Sequence, residues 1–435
     1  MIPKYSQPIR QILQSALTFS GSRFVSIFAR IIYIFAVARM LGDESYGQLV
    51  YAQSWYLVLF PFGMFGLAQW QLKSFGQSIT EETRILNIAG KSILVTSISA
   101  TILCLLIAFN TARESELFLP ILFFSLALIG RALSVWGDGV FVAYQRAEFT
   151  LKITSVFRMI EPVFAVIILS NHGGLTELAA LHMLGWLMQA IITYCKLNGQ
   201  FDISGHKTSL IEIADTLKKS FPYMGYGLST SFLYQIPLIL FAQIHEGKIG
   251  HYALIMQFLV NFSTLSLSMG QALLPALSRA HVREDNRPIE YAKRLQWLLL
   301  AMGICGGGGL VYVSEPMVMF VLGDQFVNLA KWLPASFFVL MLNSIIILFH
   351  QVMISKNNLK FCIISRLFSL SIVSGSMIYF VPNYSEAGAI LALLLGLFAE
   401  SVLVSSRHNT CIGLGIMIIV AVFSLVLLMP SFLLW

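Results

Sequence analysis

Long apolar runs, broken by short polar stretches, follow one another from end to end of this chain. The hydrocarbon core of a bilayer is about 30 Å thick and takes about 20 apolar residues per spanning helix. By that measure the pattern predicts spans near 12–40, 46–72, 87–109, 117–142, 151–170 and 176–195. A polar stretch, Lys196–Lys219, separates these from spans near 220–244, 250–276, 295–314, 328–354, 360–382 and 386–405. One more apolar run, Cys411–Trp435, predicts a thirteenth span. The expectation is an all-α integral membrane protein with 12 to 13 transmembrane helices. Its parts are a six-helix lobe at 1–195, a cytoplasmic linker at 196–219, a second six-helix lobe at 220–405 and an additional helix within 406–435. The first run, Gln11–Met40, exceeds a signal peptide's apolar core of about 7 to 15 residues and reads as a retained span.

The two halves carry an internal repeat. Gly47, Gln53 and Gly66 in span two correspond to Gly250, Gln257 and Gly270 in span eight, with one residue inserted before Gln257. An even number of spans per half starts both halves on the same side, so an axis along the membrane normal should relate them, and transporters place substrate between such halves. Helix breakers fall inside spans: Pro61 with Gly63 and Gly66, Pro162, Pro222, Pro237 and Pro275. Irregular backbone at membrane depth is tolerated where it faces protein or a wet cavity. In the connection between the halves, Leu210, Ile211, Ile213, Ala214 and Leu217 stand among polar residues. That pattern fits a helix lying in the membrane interface, or a plain linker.

Composition agrees, since 57% of residues are hydrophobic and only 11% are charged, against about 25% charged in a soluble domain. The net charge of +7 is scattered between apolar runs and forms no single patch, so orientation explains it better than nucleic-acid binding. With a cytoplasmic N-terminus, one side carries Lys73, Arg84, Lys91, Lys152, Lys196, Lys218, Lys219, Arg366 and Arg407 among others, and the opposite side little beyond Arg39, Arg113, Lys248 and Lys331. This is the positive-inside asymmetry. Cys104, Cys195, Cys305, Cys362 and Cys411 lie in or beside apolar runs without CxxC spacing, so neither metal nor disulfides are implied. Gly306–Gly309 is not followed by the Lys-Ser/Thr of a phosphate loop and lies within a span, where close packing or a flexible point is the better account. No cofactor is expected.

Ionisable groups inside spans are costly and mark cavities or partners. Arg23 and Arg30 lie seven residues apart on one face of span one. Arg131 and Asp138 repeat that spacing on span four, and Arg158 and Glu161 on span five are close enough to pair. Four arginines against two acids leave the first-half interior about two charges positive, which suits an anionic head group. Arginine's planar fork favours phosphate. The bland account is that these groups lock the first bundle by pairing among themselves, with Arg23 snorkelling to the surface. The second half is polar without being charged: Tyr223, Tyr226, Ser229, Tyr234 and Gln235 on span seven, with Gln257, Asn261, Thr264, Ser268 and Gln271 on one face of span eight. These groups suit sugars, and interhelical hydrogen bonding is the competing account. His350, Asn343 and Glu400 receive no role.

Leu41-Gly42-Asp43-Glu44-Ser45-Tyr46-Gly47-Gln48 after the first span, followed by Phe65-Gly66-Leu67, resembles the start of a Wzx-type O-antigen flippase. Gly250-His251-Tyr252-Ala253, the stretch Gln271–Arg279 and Leu322-Gly323-Asp324-Gln325-Phe326 are similar to later patterns of polysaccharide exporters. The resemblance runs from about Gln11 to Arg407 and reaches the superfamily that includes multidrug and toxin extruders, built of two six-helix bundles. It implies a MATE-like architecture and translocation of an undecaprenyl-pyrophosphate-linked oligosaccharide from the cytoplasmic to the periplasmic leaflet by alternating access, with no enzymatic step. It also implies residence in the bacterial inner membrane, lipid-linked oligosaccharide and membrane lipid as partners, and a polysaccharide polymerase and chain-length regulator as further ones. Relatives often carry a charged pair on span seven where this chain has Tyr234-Gln235-Ile236-Pro237, which leaves ion coupling open. A cation-coupled drug extruder on the same fold is the alternative.

Overall fold

The computed structural model describes the backbone of residues 9–71, 82–112, 114–144, 146–200, 208–245, 249–282, 287–356 and 358–406. In parts of these, among them 9–20, 22–23, 268–282, 287–300 and 302–304, it describes the backbone alone. The helices are α1 (Ile9–Leu41), α2 (Asp43–Met64), α3 (Glu82–Ala112), α4 (Phe118–Ala143), α5 (Ala147–Ser170), α6 (Leu175–Gln200), α7 (Leu210–Ile244), α8 (Ile249–Val282), α9 (Arg287–Leu322), α10 (Leu333–Ser355) and α11 (Leu359–Ser406), with a 3-10 segment at Asp324–Lys331. Ten described segments are long and apolar enough to cross a membrane, and the protein is a multi-pass membrane protein. The thirteenth span expected in 406–435 lies outside the described residues.

The chain forms two compact units, and the sequence-based boundary does not divide them. Unit 1 comprises 1–33 and 52–228, and unit 2 comprises 34–51 and 229–435. The crossings therefore fall inside α1, α2 and α7, not in the polar connection. Residues 210–219, expected as part of a linker or interfacial segment, form the first turns of α7. The reason is local. Ser209 and Glu212 make a capping box, the Ser209 amide donating to the Glu212 carboxylate and the Glu212 amide to the Ser209 hydroxyl. No Gly or Pro follows before Pro222, so nothing ends the helix there. Arg84 adds a two-nitrogen grip on Glu212, and Lys219 pairs with Asp215 one turn earlier.

In unit 1, α4 packs against α3 and α6. Small residues set the distance: a Cβ on Gly130 would lie 2.6 Å from the Trp186 backbone, and Gly137 faces Thr193 in the same way. Met64, Leu67, Ile85, Leu86, Trp136, Phe141 and Leu197 form the core beneath. The Pro61–Gly66 breakers end α2 in a turn, with Phe65 and Gly66 both at positive φ. Gly66 is required there twice over, because a Cβ would also press within 2.7 Å of the Met224 amide on α7.

In unit 2, α10 is the central helix, with 89% of its apolar window buried, and it packs on α8, α9 and α11. The glycine run in α9 serves this packing, since Gly306 and Gly307 face the rings of Phe337 and Phe338. Spans expected at 360–382 and 386–405 are the two arms of α11, divided at Ser385, whose φ of 49° and ψ of −126° are non-helical. That conformation costs a serine about 1–3 kcal/mol. The segment Ile34–Tyr51 belongs here: Phe35 and Phe258 rings lie 5.7 Å apart, Arg39 donates to the Phe320 carbonyl at 3.1 Å, and Gln325 donates to the Arg39 carbonyl. The repeat-related glycines meet in this unit, a Cβ on Gly47 falling 2.7 Å from the Gly250 nitrogen.

Candidate functional site

Unit 1 gathers ionisable and amide side chains from five helices into one network. Arg30 on α1 donates to Gln53 on α2 at 2.8 Å and lies 4.9 Å over the Tyr33 ring. One turn beyond Gln53, Tyr56 accepts from Arg131 of α4 at 2.7 Å. Arg158 of α5 donates to Glu161 at 2.8 Å and to Gln189 of α6 at 3.0 Å. Pro162, next to Glu161, has no amide hydrogen, which frees the Arg158 carbonyl from its helical bond.

His182 on α6 joins these pieces. Its Nδ1 lies 2.6 Å from Glu161, and its Nε2 lies 3.0 Å from both the Tyr56 hydroxyl and the Trp186 indole nitrogen. An indole N–H only donates, so Nε2 is an acceptor and Nδ1 carries the hydrogen given to Glu161. One neutral tautomer therefore satisfies every contact, assigned from the partners present. The chain of bonds runs Arg131, Tyr56, His182, Glu161, Arg158.

The guanidinium faces are covered by rings. Arg131 stands 4.3 Å over Phe60, 5.5 Å over Trp186 and 5.6 Å over Tyr56, and Arg158 stands 3.9 Å over Trp186. This stacking depends on Gly130, which lets α4 approach α6 at Trp186. The edges of the fork remain for in-plane bonding: the Nε hydrogens of Arg131 and Arg158 are buried without a hydrogen-bond partner. Three arginines (30, 131, 158) against one carboxylate (Glu161) leave the network two charges positive with His182 neutral. Arg158 is committed to Glu161, whereas Arg131 has a hydroxyl and aromatic rings and, among the described residues, no carboxylate in ion-pair range.

Not every expected residue joins. Arg23 has its backbone in α1, but its side chain lies outside the described residues, as do those of Ser268 and Gln271. Asp138 is buried, two turns along α4 from Arg131. Tyr223 and Tyr226, read as second-half sugar contacts, fall in unit 1, because α7 crosses between units only after Leu228. Tyr234, Gln235, Gln257 and Asn261 fall in unit 2. Gln235 and Gln257 are buried there, and Asn261 bonds back to the Gln257 carbonyl.

The expectation that the second half is uncharged is also corrected. Arg366, read as a span-end residue, and Glu400 form an ion pair at 3.1 Å with both side chains wholly buried. The same guanidinium nitrogen donates to Asn343, whose amide donates to the Tyr234 hydroxyl at 2.6 Å and to Ser263 at 2.7 Å. His350 lies 3.4 Å from Glu400 and 3.1 Å from Ser365. A buried charge is held by pairing together with hydrogen bonds, and α10 and α11 supply both to one nitrogen, Nη1 of Arg366, while its Nε and Nη2 are buried without a hydrogen-bond partner.

The amino-acid sequence also matches known proteins: residues 12–281 match the family of polysaccharide biosynthesis proteins. The chain belongs to the polysaccharide biosynthesis protein family. No curated protein matches this family member by sequence. Its fold is similar to that of the lipid II flippase MurJ in an inward closed conformation, at 15% identity and TM-score 0.72 over 95% of this chain and 92% of that one. It is also similar to an outward-facing multidrug resistance MATE family transporter of the MOP superfamily, at 13% identity and TM-score 0.61 over 94% and 100% of the two chains. A mutant of the Vibrio cholerae MATE transporter VcmN aligns at 12% identity and TM-score 0.59 over 92% and 97%. The chain is thus an all-α membrane protein whose fold is similar to those of MurJ and of MATE transporters.

Proposed function

We propose that this chain is a flippase for undecaprenyl-pyrophosphate-linked oligosaccharides, O-antigen or a related repeat unit. It carries them from the cytoplasmic to the periplasmic leaflet of the bacterial inner membrane by alternating access. The observation that carries this reading is the positive network of unit 1, in which Arg30, Arg131 and Arg158 face a single carboxylate. Ring-stacked guanidinium groups keep their planes fixed and offer N–H edges, the geometry that grips two phosphate oxygens at once. Arg23 is assigned to the same head-group set. Family membership and the likeness to a lipid II flippase support a lipid-linked substrate.

Tyr234, Gln235, Gln257 and Asn261 of unit 2, with Tyr223, Tyr226 and Gln271, are assigned to the sugar. No chemical step on the sugar and no cofactor is needed for such a carrier. The excess of basic residues on one set of loops supports a cytoplasmic N-terminus. A polymerase and a chain-length regulator would act on what this protein delivers.

The test is a deletion strain assayed for surface polysaccharide and for repeat units in the cytoplasmic leaflet, with plasmid-borne wild type as control. Accumulated repeat units without surface polymer are expected. Normal polymer with altered drug tolerance would favour a cation-coupled extruder, a reading that the likeness to MATE transporters supports. The arginine excess weighs against a cation site in the unit 1 network, because Glu161 is already held by Arg158 and His182.

A further inference from the structure

We propose that Asp43, His251 and Glu386 form a proton-binding site that holds the segment Ile34–Tyr51 on unit 2. This goes beyond the transport reading and does not depend on what is carried. The three residues come from three helix ends: Asp43 opens α2, His251 lies in the first turn of α8, and Glu386 follows the break of α11 at Ser385. Nδ1 of His251 lies 3.2 Å from the Asp43 carboxylate and 4.0 Å from that of Glu386. The side chains are largely withdrawn from solvent, at 12%, 23% and 16% exposure for His251, Asp43 and Glu386.

One ring nitrogen thus stands before two acids. The Asp43 oxygen that faces Nδ1 is buried without a hydrogen-bond partner, while Glu386 brings a second negative charge to the same place. Two carboxylates sharing a site oppose each other's ionisation. One added proton removes a charge and supplies a further hydrogen to bridge the groups, whether it resides on the ring or on a carboxyl.

Among the described residues, the surroundings offer no other neutralising group in ion-pair contact. Glu44 adjoins Asp43 on α2. Arg39, at the end of α1, is turned to the Phe320 carbonyl. From the 3-10 segment the imidazole meets the uncharged ring of Phe326 at 5.5 Å. Among the described residues no three His, Cys, Asp or Glu side chains are placed to hold a metal ion.

The backbone makes the site mechanical. Gly250 precedes His251, and a Cβ there would collide with the Asp43 carbonyl and carboxylate. Segment 34–51 consequently sits flush on α8, and Asp43 meets the imidazole and Glu386 only while it does. Acid then tightens the hold and alkali loosens it.

Hydrogen–deuterium exchange of the full-length protein in lipid nanodiscs tests this at about pH 5 and about pH 8, the limits of imidazole titration. After correction for the chemical exchange rate, amides of 38–50 should exchange about tenfold more slowly at the lower pH. Amides of α10 should not differ. His251→Gln and Glu386→Gln should each shrink the difference. Equal protection at both pH values in the wild type, or a difference undiminished in either variant, would overturn the proposal. If His251→Gln does not fold, Glu386→Gln keeps the His251–Asp43 contact and decides the matter.

Discussion

Tyr56 and His182, 126 residues apart in sequence, share a hydrogen bond of 3.0 Å. Through it the arginine of α4 and the acid of α5 belong to one continuous network, Arg131 at one end and Glu161 at the other. The neutral pair in the middle transmits geometry without adding charge. Position at Arg131 is consequently sensitive to groups that never touch it.

Replacing His182 with Ala should destabilise unit 1. Glu161 would lose a donor, and Trp186 and Tyr56 a shared acceptor. Leaving buried groups unsatisfied costs about 1–3 kcal/mol, so thermal unfolding in detergent should shift down measurably. A melting temperature equal to wild type would show that the network carries no strength.

Glu161→Gln is expected to be worse than His182→Ala. It leaves the Arg158 charge buried beside a neutral amide, and breaking a buried pair from one side costs about 3–5 kcal/mol. The double variant Arg158→Met, Glu161→Gln should recover most of that loss, because the uncompensated charge goes with it. Denaturation of the two singles and the double in one cycle measures the coupling.

Arg131→Ala and Arg30→Ala should behave differently from either. Arg131 has neutral partners, so its removal should leave insertion intact while surface polysaccharide is lost in a complementation assay. Arg131→Lys should rescue only partly, because an ammonium cannot present a planar fork. Normal polymer from both alanine variants would remove these arginines from the head-group site.

Gly250→Ala should weaken unit 2, since its added methyl would overlap the Asp43 backbone. Overpacking of this kind costs about 1–3 kcal/mol. Gly308→Ala is the control: no atom lies within 4 Å of its would-be Cβ, and alanine there gains up to about 1 kcal/mol of helix propensity. Equal melting temperatures for the two variants would contradict the close approach.

Much of the architecture could be read from apolar run length, because a bilayer imposes it on every span. The first turns of α7 were legible too: Ser209 and Glu212 stand three apart in capping-box spacing, yet their apolar neighbours suggested an interfacial segment. His182 left a fainter signal, the 4, 3, 4 spacing of His182, Trp186, Gln189 and Thr193 along one face of α6. A lone histidine in an apolar helix announces nothing until Glu161 is seen beside it. The Arg366–Glu400 pair had no local signature at all, since its partners are 34 residues apart and meet only because α11 breaks at Ser385. Charge at the edge of an apolar run looks like a span end whether it faces solvent or a partner.

The sharing of α1, α2 and α7 between the units bears on how such a protein can change by recombination. An exchange between relatives at the polar connection would deliver a new second half to an old Ile34–Tyr51, whose seat lies in that second half. Gly47 and Gly250 are corresponding positions of the repeat and also neighbours in space, so each copy of the ancestral pattern forms part of the other's environment. Inheritance of one without the other would pair surfaces that had never been selected together. A functional chimera should therefore carry residues 34–51 along with 229–435, two separate stretches of coding sequence bound to a single fate.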